Sequence, residues 1–184
     1  HTWLRRQRQM CIRDRAYGNL AVVYNTKGDY ETAIEYVKKS LAINKALNEP
    51  DGIGFNYYSL AVTYYYLGDY GRSADYANEC LNIRKTVYDE NHYRLASPTE
   101  LLGIVYEESG DFESAIEFLE KAKEIKIHNL GEDNIEVAYS NENIANCFLR
   151  LGNTDSALYY IQLAHEIIPK KITSPDNSLA VHYA

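Results

Sequence analysis

Apolar residues recur at i, i+3, i+4 and i+7 through most of the chain, a period that belongs to amphipathic helices. The pattern comes in matching blocks. GDYETAIEYVKKSLAI from Gly28, GDYGRSADYANECLNI from Gly68, GDFESAIEFLEKAKEI from Gly110 and GNTDSALYYIQLAHEI from Gly152 align, with their glycines 40, 42 and 42 residues apart. Upstream of each stands a second matching block: NLAVVYNTKG, SLAVTYYYLG, LLGIVYEESG and NIANCFLRLG. At the junctions Gly suits the left-handed position just past a helix, and Asp can accept an N–H bond from the next helix. Each unit is therefore predicted to be a helix hairpin of about 40 residues, and a hairpin that cannot bury its own face must stack on its neighbours.

The recurring residue types fit that packing. Ala33, Ala115 and Ala157, facing Ala21, Gly103 and Ala145, let two backbones approach where larger groups would overpack. Tyr24, Tyr64, Tyr106 and Phe148 are predicted to fill the wedge between successive hairpins. Pro98 comes early in the third unit, so its first helix should begin near Leu95 or bend there. Ser174-Pro175-Asp176 reads as a further helix start, from which residues 177–184 would begin a fifth unit. A chain that stops within a unit, with no polar cap, is expected to be a piece of a longer protein.

These motifs resemble the tetratricopeptide repeat. Tyr17, Leu20, Ala21, Tyr24, Gly28, Tyr30, Ala33 and Ser40 fall on the family's spacing, as do Tyr57, Leu60, Ala61, Tyr64, Gly68, Tyr70 and Cys80 in the second unit. The third unit supplies Leu102, Gly103, Tyr106, Gly110, Phe112, Ala115 and Ala122, and the fourth Ile144, Ala145, Phe148, Gly152, Ala157 and Ala164. Ser73 in place of a small apolar residue and Thr154 in place of an aromatic depart from the pattern and predict looser packing there. The resemblance implies an all-α fold, a right-handed α-solenoid of helix-turn-helix repeats, with about four full repeats and the start of a fifth over residues 16–184. The unit is longer than is common in the family, which predicts second helices extended by about two turns. In this the chain resembles the kinesin-light-chain subclass, whose inter-repeat segment LGEDNIEVA (Leu130 to Ala138) matches, while DGIGFNYYSLA (Asp51 to Ala61) looks more like repeats of bacterial signalling proteins.

Residues 1–15 differ in character: they hold five of the nine Arg, the only Trp and the only Met. Met10 to Arg15, MCIRDR, resembles a translated transposon-end oligonucleotide of the kind used in preparing sequencing libraries. The segment is therefore read as a non-native N-terminal artefact and set aside from functional reasoning. Its removal leaves 14 basic residues against 25 acidic ones (19 less five, and 26 less one). The net charge of -7 for all 184 residues already argues against nucleic acid as a partner. No apolar run approaches the ~18–20 residues needed to span a bilayer, so no membrane is implied. Three Cys cannot pair completely, and nothing reads as a signal peptide, so the expected compartment is the cytoplasm.

Candidate chemistry is sparse. Cys80 and Cys147 lie on apolar helix faces and read as core residues. The histidines have no paired spacing, neither HExxH nor CxxC occurs, and Gly52-Ile-Gly54 lacks a third glycine and a preceding strand. No nucleophile, base and orienting group come together, so neither an enzyme nor a cofactor or metal site is expected.

In the tetratricopeptide superhelix the first helices line the concave side, and the resemblance selects the residues there that the core does not need. They are Asn19 in the first unit; Tyr58, Val62, Tyr65 and Tyr66 in the second; Glu100, Leu101, Ile104, Glu107 and Glu108 in the third; and Glu142, Asn143, Asn146 and Arg150 in the fourth. Tyr rings give contact area at low entropic cost, Asn amides can grip a peptide backbone, and the Glu cluster would attract Lys or Arg. The expected function is thus a non-catalytic scaffold whose concave groove binds a protein or peptide carrying basic and apolar or aromatic residues. The alternative is a regulatory or sensory repeat module of a larger signalling enzyme whose catalytic domain lies outside these residues.

Overall fold

The computed structural model describes residues 2–172. Among these residues eight α-helices follow one another: α1 (Thr2–Thr26), α2 (Tyr30–Leu47), α3 (Pro50–Tyr66), α4 (Tyr70–Arg84), α5 (Ala96–Glu108), α6 (Phe112–Leu130), α7 (Ile135–Arg150) and α8 (Thr154–Ile172). Each packs chiefly on the helix before it and the helix after it, so the four hairpins α1–α2, α3–α4, α5–α6 and α7–α8 stack in chain order as an all-α solenoid. The fifth unit foreseen from Ser174 onward lies outside the described residues.

The hairpin turns are built as their residues require. Gly28, Gly68, Gly110 and Gly152 have φ of 76°, 73°, 83° and 76°, the left-handed region that favours glycine. The next residue closes the turn twice over. The N–H groups of Asp29, Asp69, Asp111 and Asn153 donate back to the carbonyls of Tyr24, Tyr64, Tyr106 and Phe148, at 2.9–3.0 Å. Their side chains then accept from Thr32, Arg72, Ser114 and Ser156 N–H, at 3.0–3.2 Å, and so cap the second helix.

Within each hairpin one aromatic pair repeats. Tyr24 stacks on Tyr36, Tyr64 on Tyr76, Tyr106 on Phe118 and Phe148 on Tyr160, with ring centroids 5.3–5.5 Å apart. The first-helix rings thus have a specific partner on the second helix of their own hairpin, a contact the sequence did not announce. Small residues hold the crossing tight. Ala33, Ala115 and Ala157 are fully buried, and a Cβ on Gly103 would meet Leu119 Cγ at 2.6 Å.

Three local expectations change. Ser73 does not loosen its crossing: it is fully buried and its hydroxyl donates to the Ala61 carbonyl at 2.8 Å. The extra unit length is not always spent on the second helix. The second helices α2, α6 and α8 run 18, 19 and 19 residues, but α4 runs only 15. After Ile83 come Thr86 and Val87, β-branched residues that favour leaving the helix, and the Thr86 hydroxyl takes up the Ile83 carbonyl at 2.7 Å. The chain then crosses to a 3-10 turn, Tyr93–Leu95, stabilised by Tyr88 stacked on His92 at 3.9 Å. Third, Leu101 is buried in the core rather than lining a groove. The start of α5 at Ala96 is where Pro98 requires it.

Candidate functional site

The face selected from the sequence proves to be four rows in strict register. Tyr58, Val62, Tyr65 and Tyr66 stand at i, i+4, i+7 and i+8 of α3, one stripe of a helix. Forty-two residues on stand Glu100, Ile104, Glu107 and Glu108 of α5, and forty-two further Glu142, Asn146, Leu149 and Arg150 of α7. Asn19 of α1 and Asn143 of α7 share another equivalent position, the first exposed and the second half-buried.

The row through Tyr66, Glu108 and Arg150 rests on the preceding repeat. Tyr66 stacks on Tyr30 at 6.1 Å, Glu108 accepts from the Tyr70 hydroxyl at 3.4 Å, and the Arg150 guanidinium lies 5.5 Å from the Phe112 ring centre. These partners are the aromatics that open α2, α4 and α6. Thr154, at the same place in α8, is exposed. Tyr66 nonetheless keeps 60% of its surface open.

The row through Tyr58 and Glu100 is held from beneath by cations that the sequence reading did not single out. Lys126 of α6, 4% exposed, donates to Glu100 Oε1 at 2.6 Å and to Ser140 Oγ of α7 at 3.1 Å. One repeat earlier Arg84 occupies the position of Lys126, its guanidinium 5.9 Å from the Tyr58 ring centre and Nη1 donating to the Arg94 carbonyl. Burial, and then the charge of Glu100, push the Tyr58 hydroxyl above the usual phenol range. The fourth repeat has Ile168 there, and Glu142 is exposed. The signal was present in the sequence: two cations 42 residues apart on otherwise apolar helix faces.

Between these rows lies the more open part of the face. Tyr65 is half-buried, edge-on to Tyr66 at 5.6 Å and tilted against Tyr70 at 5.8 Å. Glu107, beside it, is pushed above the usual carboxylate range by burial and then by the charge of Glu108, against the pull of Arg150. Val62 and Ile104 are half-buried, while Asn146, Leu149 and, a turn away, Tyr139 are exposed. The face therefore carries aromatic rings on α3, carboxylates on α5 and amides on α7.

Neither core thiol suits chemistry. Cys80 and Cys147 are fully buried, and burial pushes their thiols up to about 11 and about 12. Among the described residues no group of three His, Cys, Asp or Glu could hold a metal ion, and no helix is long and apolar enough to cross a membrane.

A tetratricopeptide repeat profile matches residues 13–86, 56–127 and 94–170. No curated protein matches the chain. Among solved structures it is similar to BtubC (BKLC) from P. vanneervenii, with a TM-score of 0.80 and 21% identity over 89% of this chain and 66% of that one. It is also similar to the nearly identical TPR-like repeats of a kinesin-light-chain-type protein from Podosopora anserina, with a TM-score of 0.69 and 18% identity over 88% and 77%. The apo form of RapI aligns with a TM-score of 0.78 and 18% identity over 87% and 57%. The chain thus spans just under two thirds of BtubC and little more than half of RapI, and at these identities the likeness is one of fold.

Proposed function

The chain belongs to the tetratricopeptide repeat family, and on that premise we propose that it is a non-catalytic interaction scaffold that binds a peptide segment along the exposed face of α1, α3, α5 and α7. The supporting observation is the changing character of that face: Tyr65 and Tyr66 on α3, Glu107 and Glu108 at the equivalent positions of α5, then Asn143 and Asn146 beside Leu149 and Arg150 on α7. An extended segment crossing the helices would meet an apolar, then an acidic, then an amide surface. It would carry aromatic or aliphatic residues toward α3 and Lys or Arg toward α5. Glu100 contributes less to that charge than Glu107 and Glu108, because its carboxylate already accepts from Lys126. Tyr58, over Arg84, forms part of the floor.

A synthetic peptide library varied in basic, acidic and aromatic positions, read by fluorescence anisotropy, tests this. Peptides combining Lys or Arg with an aromatic residue should be enriched, and their affinity should fall with salt as the Debye length shrinks below ~10 Å. Glu107→Gln with Glu108→Gln should abolish the enrichment for basic residues without lowering the melting temperature. No enrichment, or enrichment unaffected by the double variant, overturns the assignment.

A further inference from the structure

Position 17 of the first repeat recurs at 57, 99 and 141, and what stands there changes along the chain. Tyr17 and Tyr57 place rings against Tyr36 and Tyr76, at 5.9 and 6.1 Å. Thr99 is smaller, but its hydroxyl is satisfied by the Leu95 carbonyl at 2.7 Å, beside a cavity of about 130 Å³. Asn141 stands at the same place beside a larger one, of about 240 Å³. It is 3% exposed, and its buried Oδ1 has no hydrogen-bond partner. A buried acceptor left without a donor is destabilising, and a pocket beside it offers room for one.

We propose that this open pocket, lined by α6, α7, α8 and the turn between α6 and α7 on the side of α7 turned away from Tyr139 and Asn143, is a second binding site, for an alkylammonium group. Its walls are Ile127, Val137, Leu163 and Ile167, which suit a methylene stem. At its margin stand the carboxylates of Glu132 and Glu166, both exposed, which suit the ammonium charge, and the ammonium or its hydration shell supplies the donor that Asn141 Oδ1 lacks. Lys123, the one lining cation among the described residues, does not oppose this, because its ammonium is 2.5 Å from Glu120 and 4.9 Å from the Tyr160 ring centre. The site differs from the peptide face in residues and in the side of α7 it uses, so it stands or falls separately.

Two probes separate the sources of such a group: 1,5-diaminopentane as a free amine, and N-acetyl-lysine-N-methylamide as a protein side chain. Each is titrated into the whole chain with amide chemical shifts as readout. Saturable shifts at Glu132, Asn141 and Glu166 are expected with at least one probe; the tighter probe identifies the source. Asn141→Leu, which fills the pocket and removes the orphan acceptor, should abolish the shifts while holding or raising the melting temperature. Glu166→Gln, at an exposed position, should weaken binding by about two- to fivefold. Glu107→Gln should leave binding unchanged. No saturable shifts with either probe, or shifts that persist in Asn141→Leu, overturn the proposal.

Discussion

Lys126 donates to Glu100 Oε1 at 2.6 Å from a nearly sealed position, joining α6 to the face of α5, and its second bond, to Ser140 Oγ, reaches α7. One cation therefore ties three helices across a repeat boundary. The two ends of the pair are unequal: the Lys126 side chain is 5% exposed and that of Glu100 21%. Glu100→Ala strands a buried ammonium and should cost about 3–5 kcal/mol. Lys126→Met leaves a carboxylate that can turn to water and should cost only about 1 kcal/mol. Joining Lys126→Met to Glu100→Leu should recover most of the loss, since the stranded charge is gone. Urea unfolding of the three variants checks the order. Equal costs for the two single variants would show that the pair is solvated and contributes little.

Glu107 gives the fold a definite dependence on pH. Burial and the neighbouring Glu108 raise its pKa in the folded chain above the ordinary glutamate value. Between that ordinary value and the raised one, the folded state holds more protons than the unfolded state. Stability therefore falls as pH rises through the interval, and the deficit persists at neutral pH. Glu107→Gln should flatten this slope and leave the protein more stable than the parent above the interval. Binding of a basic peptide should run the other way, strengthening as Glu107 ionises. Urea midpoints and peptide anisotropy over the same pH series test both signs, and a parent that grows more stable with pH across this interval contradicts the assignment.

Much of the solenoid could be read from the chain because its rules are local. Gly110 and Asp111 announce their turn in two residues, and Ala115 against Gly103 announces the crossing. The stacked pairs were half visible. Tyr64 was identified, but Tyr76, which completes its stack, lies on a second helix whose face the repeat pattern alone does not orient. The length of α4 is not legible from the repeat, because the unit length counts residues without saying whether they continue a helix or, as at Thr86 and Val87, leave it. The candidate face was legible as a stripe of residue types. What occupies those residues was not: the contact between Glu100 and Lys126 spans 26 positions and two helices. Arg84 and Lys126 stand out as cations on apolar faces, but nothing along the sequence pairs Lys126 with Glu100 rather than with Glu107.

Gly103 and Gly71 should respond in opposite directions to the same substitution. A Cβ at Gly103 would fall 2.6 Å from Leu119 Cγ and 3.1 Å from the Ala115 carbonyl oxygen, so the α5–α6 crossing must open to admit it. Gly103→Ala should destabilise by about 1–3 kcal/mol. Gly71 is exposed in the first turn of α4, with its nearest neighbour at 3.9 Å. Gly71→Ala should stabilise by about 0.5–1 kcal/mol through the lost freedom of the unfolded chain. Thermal unfolding of the two variants distinguishes a crossing set by backbone approach from one with room to spare.

The buried thiols report the integrity of the spine. Cys80 sits in α4 and Cys147 in α7, so together they sample the second and fourth repeats. Burial is the first cause of the upward shift at both, and at Cys147 the charge of Glu107 adds to it, so neither supplies appreciable thiolate at neutral pH. With Cys11 replaced by Ser, the native protein should therefore react with a disulfide reagent only as fast as it opens. Both thiols should become reactive together across the urea transition if the stacked repeats unfold as a unit. Earlier reaction of Cys147 would mean that the fourth repeat opens on its own, as expected of a solenoid whose stability is a sum over neighbour contacts. Rapid reaction of either thiol in the native state would contradict the packing described for α4 and α7.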